Sequence, residues 1–190
     1  MLEAIWNLLD EADMVVHYNG RRFDIPMLNR DFLKQGLGPP APYQQVDLLP
    51  IVRHNFRFPS NKLAYIIEEL DLGEKLKHDG SKTWRRCMRG EAKAWRVMEK
   101  YNRHDVDQTE KLYWRLLPWI HNHPNHGLFQ HKLEHVVCTN CGSGNLRSKG
   151  WTYTKTQKYR RFKCKDCGTP NRGRHTDLSP EEGKNILTQA

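Results

Sequence analysis

Two pairs of cysteines carry the sharpest chemical signal in the chain: Cys138-Thr-Asn-Cys141 and Cys164-Lys-Asp-Cys167, each followed by a glycine (Gly142, Gly168). Four thiolates at this spacing suit one tetrahedral Zn²⁺, and four protein ligands leave no open position, so the metal is expected to be structural. A second constellation is acidic. The segment His17-Tyr18-Asn19-Gly20-Arg21-Arg22-Phe23-Asp24-Ile25-Pro26 carries one carboxylate, and Tyr101-Asn-Arg-His-Asp105 carries another, with Tyr101 and Asp105 on one helical face. Asp24 and Asp105 could ligate Mg²⁺ or Mn²⁺ through oxygen while the Tyr101 phenol orients an attacking water. Spacing alone leaves a solvated or capping role open for either acid, because helices routinely carry acids. Arg21 and Arg22 beside Asp24 read as phosphate clamps.

The elements that must position these groups follow from periodicity. Leu2, Ile5, Trp6 and Leu9 repeat at helical spacing, and Met14–Tyr18 is a short β-branched run ending at the Asn19-Gly20 turn. Phe23, Met27, Leu28 and Phe32 share a helical face that stops at Gly36 to Pro40. A second strand is expected over Gln45–Val52, then a helix capped by Ser60 and closed by Gly73. Two separate helices are expected over about 91–101 and 105–117. This order of helices around strands is an α/β architecture. The histidine-, proline- and asparagine-rich run 121–135 reads as a linker, 136–175 as a small β module around the cysteines, and 176–190 as a polar tail without fixed structure.

The net charge of +9 is concentrated, because the stretch from Cys138 to His175 sets ten lysines and arginines against Asp166 alone. A module this one-sided is a footprint for phosphate backbones. Its aromatic residues Trp151, Tyr153, Tyr159 and Phe162 are interleaved with Lys158, Arg160, Arg161 and Lys163, a surface able to stack bases while tracking phosphates; half the rings could instead form the module's own core. No apolar run is long enough for a membrane span, and Met1 leads into an amphipathic segment with no leader pattern. With cysteines paired for metal rather than disulfides, the expected location is the cytosol.

The remaining candidates read more plainly. Cys87 is expected to be a buried thiol, Trp95 a core residue, and His121, His123 and His126 solvated. Asp47 either approaches a metal or caps its strand. His104 is a weak candidate for a proton shuttle, and Lys82, Arg85, Arg86 and Arg89 form a second basic face.

Asn19-Gly-x-x-Phe-Asp24-x-Pro and Tyr101-x-x-x-Asp105, with Thr109-Glu-x-Leu-Tyr113 and Leu117-Pro-Trp119 behind them, resemble the second and third motifs of the DnaQ-like 3′-5′ exonucleases. These belong to the RNase H-like superfamily, in the subclass with tyrosine, and phage and bacterial members often end in a zinc ribbon. The resemblance spans roughly 14–168. It implies an RNase H-like α/β domain over 1–120, two-metal phosphodiester hydrolysis at Asp24, Asp105 and Tyr101, and nucleic acid, DNA ahead of RNA, as the partner, in a bacterial cell or phage-infected host. Such enzymes take a further Asp-x-Glu pair from an earlier strand. Only eighteen residues precede Asn19, and none of them supplies that pair. Two explanations stand: an upstream segment or second polypeptide completes the site, or the chain is a noncatalytic nucleic-acid-binding derivative.

Overall fold

Where β-branched and apolar side chains alternate with turn residues, the N-terminal unit forms a small sheet wrapped by helices. The computed structural model describes residues 1–74, 80–130 and 132–188. The chain divides into two units, Met1–Leu116 and Leu117–Ala190. In the first, the described elements run α1 (Leu2–Glu11), β1 (Met14–His17), α2 (Asp24–Lys34), β2 (Gln44–Asp47), α3 (Leu48–Asn55), α4 (Leu63–Glu69), α5 (Ser81–Met88) and α6 (Ala92–Leu116). Strands β1 and β2 pair in parallel, Val16 against Val46 and His17 against Asp47. Among the described residues no strand pairs with the other edge of β1. Phe32, Leu48, Val52, Ile66, Ile67 and Leu112 are fully buried between the sheet and helices, each stabilising the unit by roughly 1.5–3 kcal/mol through apolar burial.

Two expectations about these elements are corrected. The strand expected over Gln45–Val52 ends at Asp47 and becomes α3. The Asp47 carboxylate accepts from the Leu49 amide at 3.1 Å, a helix N-cap, and Pro50 is tolerated because first-turn amides have no helical acceptor. The expected break between Tyr101 and Asp105 is absent, since α6 is one helix of 25 residues. No glycine or proline interrupts it there, and Arg103 bonds Glu99 one turn back at 3.0 Å across the supposed gap. Ser60 does not cap α4. Its hydroxyl accepts from Lys62, which is the residue at the N-cap.

The second unit opens with 3₁₀ turns at Leu117–Trp119 and His126–Phe129 and then forms an antiparallel sheet of β3 (Leu146–Tyr153), β4 (Lys158–Cys164) and β5 (Pro170–Arg172), before a short α7 (Pro180–Lys184). The stretch expected as a linker packs within this unit. The His126 amide donates to Thr139 at 2.8 Å, and His123 is buried and stacked on His126, so the reading of these two histidines as solvated is corrected. The polar tail carries α7. Ser179 and Glu182 cap α7 reciprocally, and residues 189–190 lie outside the described residues.

Candidate functional site

Asp47, the one buried acid among the described residues, organises the end of the N-terminal sheet. Besides capping α3, its Oδ1 accepts from the Asn19 amide at 2.8 Å, and its Oδ2 lies 3.6 Å from His17 Nδ1. The Gly20 amide donates to that same Nδ1 at 3.1 Å. Nδ1 is therefore the acceptor, and Nε2 carries the proton toward Gln45 Oε1 at 3.2 Å. Asn19 has φ +66°, which asparagine tolerates. A Cβ on Gly20 would lie 2.7 Å from the His17 ring, so only glycine fits beneath it. The Asn-Gly turn is thus fixed by side chains at the ends of both strands, and it delivers the chain into α2 with Asp24 as the first helical residue.

Beyond this turn, β1 and α6 enclose a mainly apolar cavity of about 500 Å³, whose wall includes Val16, His17, Tyr18, Asp105, Glu110 and Trp114. Tyr101 lies one turn before Asp105 on α6. Burial, the Asp105 charge and a hydrogen bond to that carboxylate raise the Tyr101 phenol above its ordinary range, which keeps it protonated. Tyr18 donates to the Asn61 carbonyl at 2.6 Å. Burial pushes its phenol up to about 12, with Asp47 adding and Arg53 opposing. Asp24 is exposed and is not among the residues lining the cavity. The structure therefore brings Tyr101 and Asp105 together. Glu110, which sequence reasoning passed over, is the second acid on the cavity wall, five residues beyond Asp105. Asp47 caps the start of α3 rather than the end of its strand.

In the other unit the four cysteine sulfurs lie within 4.8 Å of one another. The pairs Cys138–Cys167 and Cys141–Cys164 are 3.6 and 3.7 Å apart, close to the roughly 3.8 Å edge of a tetrahedron with 2.3 Å Zn–S bonds. Gly142 and Gly168, at φ +72° and +80°, turn the two knuckles. Burial raises the Cys138 thiol, but amides of Cys141 and Asn140 and the Asn171 side chain outweigh it and bring it down to about 7. Burial pushes the Cys141 and Cys167 thiols up. Cys138, whose thiolate these donors favour, is the sulfur readiest to meet a cation. The donors fit Zn²⁺. Asn171 was not foreseen: it donates to Cys138 Sγ at 3.5 Å and accepts from the Thr139 amide at 2.9 Å, bracing one knuckle against β5.

A family model of the RNase H superfamily, RNase_H_2, matches residues 1–117, ending one residue past the first unit. The chain belongs to the RNase H superfamily. No match was found among curated proteins. Membership of the RNase H superfamily carries a nuclease-like, nucleic-acid-processing fold with nucleic acid as substrate or partner, and the match leaves the cysteine cluster outside it. Among the described residues that cluster is also the one group of three or more metal-binding side chains that converge. Among the described residues of the RNase H unit, no three His, Cys, Asp or Glu side chains converge in that way.

The other sequence candidates fall out as follows. Arg21 and Arg22 are exposed, and Arg21 donates to the Gln45 carbonyl at 3.4 Å. His104 bonds the Glu74 carbonyl at 2.7 Å through Nε2. Cys87 is buried, whereas Trp95 is 50% exposed rather than in the core. The basic residues of the hairpin divide by strand parity. Arg160 and Lys158 stand opposite Trp151 and Tyr153 on one face, and Arg161 and Lys163 alternate to the other. Arg161 is also bonded to the Lys149 carbonyl at 3.0 Å.

No helix among the described residues is long and apolar enough to cross a membrane.

Proposed function

We propose that this chain carries part of the active site of a 3′-5′ exonuclease of the DnaQ-like, tyrosine-bearing type, related to phage and bacterial proteins with a terminal zinc ribbon. In this reading the ribbon grips nucleic acid, DNA ahead of RNA. The hydrogen bond of Tyr101 to Asp105, the acid that α6 turns onto the wall of the cavity beside β1, is the observation that supports it best. Asp105 would ligate one Mg²⁺ or Mn²⁺ and Asp24 would join it once substrate and the missing acids are in position. The ions, when bound, would activate water and stabilise the leaving oxygen. Tyr101, held protonated, would orient the water and leave the ions alone. Arg21 and Arg22 would meet phosphates beside Asp24. The missing Asp-x-Glu strand, from an upstream segment or a second polypeptide, has an edge to join: β1 has no partner on one side among the described residues, and Val16 to Tyr18 share the Asp105 cavity.

The test is degradation of a labelled oligonucleotide with Mg²⁺ or Mn²⁺. The chain alone should be nearly inactive, and supplying the Asp-x-Glu strand should restore digestion that Asp24→Ala or Asp105→Ala abolishes. Tyr101→Phe should slow the reaction about 100-fold with metal binding unchanged. Metal-dependent hydrolysis by this chain alone, lost in Asp105→Ala, would overturn the incomplete-site reading. The second reading, a noncatalytic nucleic-acid binder working through its ribbon, is favoured by the single sign of charge there. It predicts tight binding with no hydrolysis under any complementation.

A further inference from the structure

The Trp151 face of the ribbon is exposed but already holds a carboxylate of the chain's own tail. Trp151 and Tyr153 on β3 stand opposite Arg160 and Lys158 on β4, so all four project to one side. The Lys158 ammonium and the Arg160 guanidinium sit 4.6 and 5.1 Å from the centre of the Trp151 ring. The chain beyond β5 then returns along β4. The Gly173 amide donates to the Arg160 carbonyl at 2.8 Å, and the Asp177 amide to the Lys158 carbonyl at 2.7 Å. Thr176 Oγ1 donates to that same Lys158 carbonyl at 3.1 Å. This path delivers the Asp177 carboxylate to the aromatic face, where its Oδ2 accepts from the Trp151 indole N–H and lies 3.8 Å from Arg160 Nη2.

We infer that Trp151, Arg160 and Lys158 form a subsite for one nucleic-acid phosphate, and that Asp177 occupies it in the free protein as a carboxylate stand-in. A phosphodiester and a carboxylate each present one negative charge on two oxygens, so an indole N–H and a guanidinium that hold one suit the other. The ammonium over the ring adds charge without needing a fixed angle. Asp177 can leave, because residues 174–177 are exposed and held there by a few surface bonds. The tail therefore competes with nucleic acid for the ribbon. The inference rests on the reading that the ribbon binds nucleic acid.

The experiment uses the full zinc-loaded chain and a fluorescent single-stranded oligodeoxynucleotide, titrated by anisotropy across a salt series. Asp177→Asn should bind about three- to tenfold more tightly and steepen the salt slope by about 0.7, one further phosphate. Glu181→Gln removes the same charge from an exposed site in α7 and should change affinity less than about twofold. Asp177→Ser guards against a local disturbance in Asp177→Asn, with zinc content measured for each variant. In the wild type, the Trp151 indole N–H resonance should move when oligonucleotide is added. Salt-dependent binding by the wild type with no gain in either Asp177 variant, or an equal gain in Glu181→Gln, overturns the inference and leaves ribbon binding standing. No binding by wild type or Asp177 variants overturns the ribbon reading and this inference with it.

Discussion

The two units reach order by different physics. The N-terminal unit buries a cluster of Leu, Ile, Val and Phe side chains, and its polar centre, Asp47, fastens a turn and a helix start. In the C-terminal unit the buried side chains among the described residues are Leu117, Ile120, two cysteines and a polar set of His123, Asn140, Thr169 and Asn171. So little carbon cannot offset the conformational entropy of ordering the chain. Four thiolates around one cation would, because metal bound by such a set contributes folding free energy. The comparison teaches where each unit is vulnerable: one to cavities, the other to chelators, protons and loss of a ligand.

Removing zinc should separate the units most sharply. A strong chelator, or Cys164→Ser, should unfold the C-terminal unit by forfeiting a contribution on the order of 10 kcal/mol. Amide resonances of the N-terminal unit should stay dispersed, and their collapse along with the ribbon would break the comparison. In the opposite sense, Leu112→Ala, at a fully buried position of α6, should destabilise the N-terminal unit by about 2–5 kcal/mol. Zinc content, measured by elemental analysis, should stay at one per chain.

Asp47→Ala removes the cap of α3 and the acceptor for Asn19, so denaturant unfolding should report a loss of about 1–3 kcal/mol. Asp47→Asn should recover most of it, since Oδ1 needs only to accept. Recovery absent in Asp47→Asn would mean that the charge beside His17 matters more than the cap. The smallest effect expected is a pH dependence of the C-terminal unit. Burial lowers the His123 pKa below its ordinary 6.5, with a Pro124 carbonyl bond opposing and His126 adding. As pH falls from 6.5 toward that lowered value, the unfolded chain takes up a proton that the folded one refuses, so stability declines across this window and is fully present above it. Thermal melts in excess zinc should show a shallower decline for His123→Gln than for the wild type.

Much of this was legible in the residues. The Cys-x-x-Cys pairs announced a four-sulfur site because ligand spacing within a knuckle is a local property. Asn19-Gly20 announced its turn because asparagine tolerates the left-handed backbone that Asn19 adopts at φ +66°. The superfamily was legible from the same turn and the Tyr101–Asp105 pair. Helix boundaries were less so. Whether Val46 to Val52 continues as strand or turns to helix depends on Asp47 finding Leu49 and Asn19 as donors, and a run of apolar residues fits either state. Trp95 looked like core because tryptophan usually is, and only packing leaves half of it in solvent.

The sequence by itself determined the chemistry available: four sulfurs for a metal, a phenol four residues from a carboxylate, and a basic aromatic hairpin. These follow from residue type and from spacings shorter than one element. Only the tertiary structure decided which of those groups meet. It joined Tyr101 to Asp105 on one unbroken helix, left Asp24 off the cavity wall, and added Glu110 to that wall. It also divided the hairpin's charges between two faces and laid Asp177 on one of them. The physical reason is that strand register and chain return are fixed by hydrogen bonds between residues far apart in sequence, and no local pattern of side chains encodes them.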